Sequence, residues 1–196
     1  QQHYAELIQS LALYAGACPV ERQEALRQKL LQENCSGVFV MLDTTVNSAV
    51  ANADTSRCGL YLKINGYKST YNPVSMLRGD AEIARASGII PHRQLKLEFC
   101  TEQIPGYAQI LADVHQPMTE SYRFTDLFTL SGTEESVMLL TVPMVGGDGT
   151  FYGICGYEIS ESYFKHLFSQ PSNLGHAIFA INKGSEGIIN AADSLS

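Results

Sequence analysis

No stretch of this chain approaches the roughly 18 consecutive apolar residues that a membrane-spanning helix needs. Its tightest apolar run is Val38-Phe39-Val40-Met41-Leu42, which is the length of a buried strand. Positive charge is scarce: 13 Lys and Arg stand against 20 Asp and Glu, for a net charge of -7. With no Lys/Arg cluster, the chain lacks the footprint for nucleic-acid backbones and the polybasic patch for anionic lipid heads. The start has no initiator methionine, no basic segment and no apolar leader core. It opens inside a helical pattern, so we expect a piece of a longer protein.

The sequence is equally poor in catalytic and metal-binding patterns. Cys18, Cys35, Cys58, Cys100 and Cys155 form no C-x-x-C pair, so a structural zinc site has little support. Five cysteines leave at least one thiol unpaired. The others are either small buried hydrophobes or, in an oxidising compartment, one or two disulfides of undecided pairing. His3, His92, His115, His166 and His176 show no H-x-x-x-H or H-E-x-x-H spacing. No G-x-S-x-G elbow is present. Gly146-Gly147-Asp148-Gly149 is Gly-rich, but no Lys-Ser/Thr follows and it opens a strand, so it reads as a hairpin turn and not a phosphate cradle. We expect no metal, no cofactor and no enzyme. Two rivals remain: a Cys100- or Cys155-dependent enzyme with a nearby histidine, and a dimerisation or scaffold module.

With 45% hydrophobic and 17% charged residues, the chain has an ordinary globular balance. Tyr4, Leu7, Ile8, Leu11 and Tyr14 give a helical stripe over residues 1–17, a candidate homodimer seam. Pro19 starts a second helix near Val20–Glu33, with Leu26, Leu30 and Leu31 as its stripe. Val38–Leu42 and Leu60–Ile64 read as strands, with a polar loop at 47–57 and a turn at Asn65-Gly66. Val74–Ser87 reads as a short helix weakened by Gly79. Leu95, Leu97 and Phe99 alternate as a strand, and Tyr107, Ile110 and Leu111 fit a helical turn. Ser136–Val145 and Thr150–Ile159 form a long hairpin around Asp148-Gly149, with Pro143 at an edge or bulge. Gly153 and Gly156 permit close approach of backbone or ligand. Ser160 caps a helix bearing Tyr163, Phe164, Leu167 and Phe168, and Ala177–Ile181 with Gly187–Asn190 make a last hairpin. The expected class is α+β, with a mainly antiparallel sheet whose one face buries against the N-terminal helices and the middle segment.

The stretch TVPMVGGDGTFYGICGYEIS carries Pro143, the Asp148-Gly149 turn, Gly153 with Gly156, and Glu158-Ile159-Ser160 before a helix. This order resembles the Cache family of sensor domains. The stretch AIFAINKGSEGIIN is similar to the family's following strand pair, and YRFTDLF (Tyr122 to Phe128) lies where the family carries a pocket segment. The resemblance implies a long N-terminal helix on a PAS-like antiparallel sheet with a ligand pocket on one face. It implies a position on the extracytoplasmic side of the cell membrane, flanking transmembrane helices, and a cytoplasmic output domain. The parts would be a helical segment at 1–36, a Cache-like module at 37–170, and 171–196 as closing strands or the start of a second, truncated module.

Small-molecule sites are mostly apolar, with a few polar groups that fix orientation. Tyr61, Tyr71, Arg78, Tyr122, Arg123 and Asp126 supply such groups. Arg clamps a carboxylate through its planar fork, Asp accepts from an amine, and Tyr offers a ring with a hydroxyl. These groups suit a small polar metabolite, and the resemblance implies that the chain is the ligand-binding domain of a receptor.

Overall fold

The computed structural model describes residues 19–65, 73–114 and 118–168. The helix expected at 1–17, Tyr71 and the hairpin expected at 177–190 lie outside these. The described chain is α+β, with nine strands and short helices. Helix α1 (Pro19–Gln32) leads into β1 (Gly37–Leu42), β2 (Ser56–Ile64) and β3 (Val74–Arg78). Helix α2 (Ala81–Ala86) connects to β4 (Ile90–Lys96) and β5 (Glu98–Cys100). A 3-10 turn (Thr101–Gln103), α3 (Tyr107–Ala112), α4 (Met118–Ser121), β6 (Arg123–Phe124) and β7 (Phe128–Thr129) follow. The chain then runs through β8 (Ser136–Val145), β9 (Phe151–Ser160) and α5 (Glu161–Phe168).

The strand order is β4-β3-β2-β1-β9-β8-β6, with β5 beside β2 and β7 beside β8. Every pairing is antiparallel except β3 with β4, so the sheet is mixed. The β8–β9 hairpin is its longest ladder, running from Val137↔Ser160 to Val145↔Phe151. Its turn closes with Gly149 N–H on the Gly146 carbonyl at 2.9 Å and Gly149 at φ 82°. Asp148 accepts from the Thr150 N–H at 3.0 Å and the Thr150 hydroxyl at 2.9 Å, an Asx turn. Beyond Thr141, β8 has only β9 beside it among the described residues, so Pro143 sits where a missing N–H does not matter.

The helix expected over 74–87 is instead β3 followed by α2. All five residues of β3 are buried, Val74 and Met76 toward one face and Ser75 and Leu77 toward the other. Two-sided burial hides the alternation that marks a strand. Gly79, at φ 129°, then redirects the chain. Asp80 caps α2 by accepting from the N–H groups of Glu82 and Ile83 at 2.7 and 3.1 Å. The strand expected around Leu95–Phe99 is two, β4 and β5, broken at Leu97.

Period-two alternation divides the core. On one face Val38, Leu62, Met76, Leu140, Val142, Cys155 and Tyr157 form one buried cluster with Leu26 and Leu30 of α1. Leu31, which the sequence suggested for the same stripe, is 47% exposed. On the other face lie Phe39, Met41, Tyr61, Leu77, Leu139 and Ile154, covered by Phe99, Ile110 and Leu130. The two glycines expected to admit a close neighbour do so with backbone. A Cβ on Gly156 would land on the Leu140 carbonyl, and one on Gly153 on the Met41 carbonyl.

Candidate ligand-binding site

The face away from α1 carries the chemistry. Strand β2 reads LYLKI from Leu60, and alternation sends Leu60, Leu62 and Ile64 to the α1 side. Tyr61 and Lys63 point the other way, as does Glu158 across the sheet. Glu158 is 0% exposed and Lys63 4%. The Lys63 ammonium pairs with Glu158 and also with Glu135, at 2.7 Å. Glu158 further accepts from the Tyr61 phenol and from the Ser36 hydroxyl, the latter at 2.7 Å. A buried carboxylate needs this satisfaction, because desolvating an unpaired charge costs several kcal/mol.

The network reaches both ends of the central strands. Ser36, between α1 and β1, receives the Ser160 N–H on its hydroxyl at 2.7 Å. Ser160 accepts from the Tyr163 N–H at 3.2 Å and opens α5. Ser162 donates to Glu135. Burial, followed by the Glu158 charge, pushes the Tyr61 phenol well above its usual pKa, so Tyr61 stays a donor. Burial alone would lower Lys63, but the charges and hydrogen bonds of Glu158 and Glu135 override it and hold the ammonium above its ordinary value. Burial would raise Glu135, but Lys63, Ser162 and Ser160 together hold it low.

Beside this network lies an aromatic wall. The Phe39, Tyr61 and Phe99 rings sit with centroids 5.7, 6.4 and 6.1 Å apart, Tyr61 stacked on Phe99 at 11°. With Gln103, Leu139 and Arg78 they line a partly open cavity of about 30 Å³. A bulge between β2 and β3 places Arg78 opposite Tyr61, so Leu77 and Arg78 both serve this face. The Arg78 side chain is 4% exposed. It donates to the Leu77 carbonyl at 2.8 Å and the Ser131 carbonyl at 3.3 Å, and no carboxylate pairs with it among the described residues. Those bonds use two of the five N–H donors of a guanidinium that stays charged in proteins. Burial pulls its pKa below the usual value.

The residues expected to share one pocket divide between two places. Tyr61 and Arg78 line the aromatic cavity. Arg123 and Asp126 line a separate recess of about 170 Å³ between Gly106, Gln109 and Ile110 on one side and Phe124 and Thr125 on the other. There Arg123 is ion-paired with Asp113. Tyr122 is 48% exposed and lines neither space. Lys63, Glu135, Ser36, Phe39 and Phe99 escaped the sequence reading. The available signal was Lys63 sharing the Tyr61 parity within an otherwise apolar strand.

Burial pushes the thiols of Cys35 and Cys155 up to about 12, which makes both poor nucleophiles at neutral pH. Among the described residues no cluster of His, Cys, Asp and Glu has a metal-binding arrangement, and no helix is long and apolar enough to cross a membrane. No protein-family model matches the chain, and no curated protein matches it.

Proposed function

We propose that this chain is a ligand-binding sensor module of the Cache type. In this reading it belongs to the extracytoplasmic part of a membrane-anchored receptor and signals to a cytoplasmic output domain. It binds a small polar metabolite on the sheet face opposite α1. The observation that carries the reading is Arg78, a buried cation with no carboxylate partner among the described residues, set in an aromatic cavity. An unpaired charge held out of water is expensive unless something else meets it. A perturbed, buried charge in a cleft is a candidate functional group.

The polar network offers a route for the signal. Tyr61 contributes its ring to the cavity and its hydroxyl to Glu158. Glu158 binds Ser36, and Ser36 binds Ser160, so one chain of hydrogen bonds runs from the cavity to the α1–β1 and β9–α5 junctions. A ligand shifts a conformational equilibrium only through its differential affinity for the two states. Here it would do so by displacing Tyr61.

A second reading is a dimerisation or scaffold module without ligand, and the small volume of the aromatic cavity favours it. Thermal melting across a broad metabolite panel separates the two. The sensor reading expects at least one compound to raise Tm in a saturable way that Arg78→Gln weakens. Unchanged melting throughout, with concentration-dependent self-association, would replace it by the scaffold reading.

A further inference from the structure

We infer that Cys100 is a peroxide-reactive thiol, oxidised to a sulfenic acid whose new oxygen accepts from the free N–H donors of Arg78 in the aromatic cavity. The inference does not depend on the sensor reading, since the group that meets Arg78 is then made by the chain itself. Cys100 ends β5 and lines the cavity together with Arg78, and the two side chains interact electrostatically. The thiol is half-buried, whereas Arg78 is 4% exposed. Three of the five guanidinium N–H donors make no hydrogen bond to a described residue. A guanidinium accepts nothing, so its missing partner must be an acceptor. The sulfur of a thiol is a weak one, and an oxygen bonded to that sulfur is a better one.

Size selects the oxidant. A water position occupies about 10–15 Å³ of such space. The cavity of about 30 Å³ therefore admits hydrogen peroxide and turns away glutathione disulfide or a bulky organic hydroperoxide. The Cys100 thiolate attacks one peroxide oxygen. An S–O bond forms, the O–O bond breaks, and the second oxygen leaves as hydroxide and takes up the proton that the thiol released. Sulfur is oxidised, the peroxide is reduced, and the products are one sulfenic acid and one water. The other described cysteines are poorer candidates. Cys35 and Cys155 lie in the core with thiols pushed up to about 12, and Cys58 is pushed up by burial and by the charge of Glu98. Nor does Cys58 stand ready to close a disulfide. It pairs with Glu98 while Cys100 pairs with Ser56, so the two cysteines lie on a diagonal of the β2–β5 ladder. Cα atoms on such a diagonal are about 7–8 Å apart, beyond the roughly 4.4–6.8 Å that a disulfide spans.

The test treats the folded chain with hydrogen peroxide or cumene hydroperoxide in the presence of dimedone, which traps sulfenic acids, and reads each cysteine by peptide mapping. The inference expects Cys100 to be labelled at least tenfold faster than Cys58. Relative to free cysteine, cumene hydroperoxide should react with Cys100 at least tenfold more slowly than hydrogen peroxide does. Arg78→Gln should slow the labelling at least tenfold, and Arg78→Lys, which keeps the charge without the planar fork, should recover part of the rate. Without dimedone, hydrogen peroxide should raise the Tm of the wild type and leave that of Cys100→Ser unchanged. Should Arg78→Gln fail to fold, the contrasts between Cys100 and Cys58 and between the two peroxides, both in the wild type, still decide. Equal labelling of Cys58 and Cys100, or equal reactivity toward both peroxides, overturns the inference. So does a disulfide between Cys58 and Cys100 in place of the dimedone adduct, or labelling that Arg78→Gln leaves unchanged. None of these outcomes touches the sensor reading, which stands or falls with the metabolite panel.

Discussion

Tyr61 and Glu158 are joined by a hydrogen bond at the centre of the sheet, between a ring that walls the cavity and a carboxylate that is fully buried. Removing the hydroxyl leaves the carboxylate with Ser36 and Lys63 as its side-chain partners among the described residues. Tyr61→Phe is therefore expected to cost about 1.5–3 kcal/mol, the range for hydrogen bonds to charged groups. Urea unfolding of the two proteins measures it, and an unchanged midpoint would show that the bond contributes nothing.

Lys63 is the sole cation paired with Glu158 among the described residues, and its loss strands a buried negative charge. Lys63→Met should destabilise by about 3–5 kcal/mol. The double variant Lys63→Met with Glu158→Leu, which removes both charges, should recover most of that loss. A double-mutant cycle in which the two losses simply add would refute the coupling.

The same network fixes a pH window. Glu135 has its carboxyl held low by Lys63, Ser162 and Ser160 against the opposing pull of burial. Its contribution to stability is fully present above the unfolded carboxylate value of about 4.3 and is lost as pH falls through the lower folded value. Lys63 is held high, so its contribution is complete below the unfolded value of about 10.4 and is lost as pH rises through the folded one. The expected profile is a plateau between these limits. Glu135→Gln should flatten its acidic flank, and an identical flank in the variant would contradict the assignment.

Much of this was legible in the residues. The β8–β9 hairpin announces itself through apolar ribbons around Asp148-Gly149, and the α1 boundaries through Pro19 and the stripe of Leu26 and Leu30. β3 was not legible, because burial on both faces erases its alternation. The site was half legible. Tyr61 and Arg78 carry suggestive chemistry and do meet, but Arg123 and Asp126, equally suggestive, gather at a different recess. Which face a residue serves depends on bulges such as the one at Tyr61/Leu62, and these leave no mark in composition. Glu158 pairs with Ser36 across 122 positions, a distance that no local pattern encodes.

Close backbone packing yields a sharper contrast. Gly156 faces the Leu140 carbonyl, whereas nothing lies within 4 Å of a Cβ on Gly147. Gly156→Ala should therefore destabilise by about 4 kcal/mol or more, through forced separation of β8 and β9. Gly147→Ala, in the open turn, should stay within about 0.5 kcal/mol of the parent. Thermal melts of both variants check this.

Cysteine labelling probes the core directly. Cys35 and Cys155 are buried with thiols pushed up to about 12, while Cys58 and Cys100 are half-buried. Iodoacetamide at pH 8 should spare the first two until denaturant is added and reach the second two in the native protein. Peptide mapping reads the order. Prompt native labelling of Cys155 would contradict its burial in the core cluster on the α1 side of the sheet.

The most direct measurement of the ligand account is hydrogen–deuterium exchange with and without a compound that raises Tm. Protection is expected to concentrate in 74–78, 99–104 and 128–131, the segments around Arg78, and to extend to 158–163 through Tyr61 and Glu158. Protection confined to the recess around Arg123 and Gln109, or to the α1 face, would contradict it.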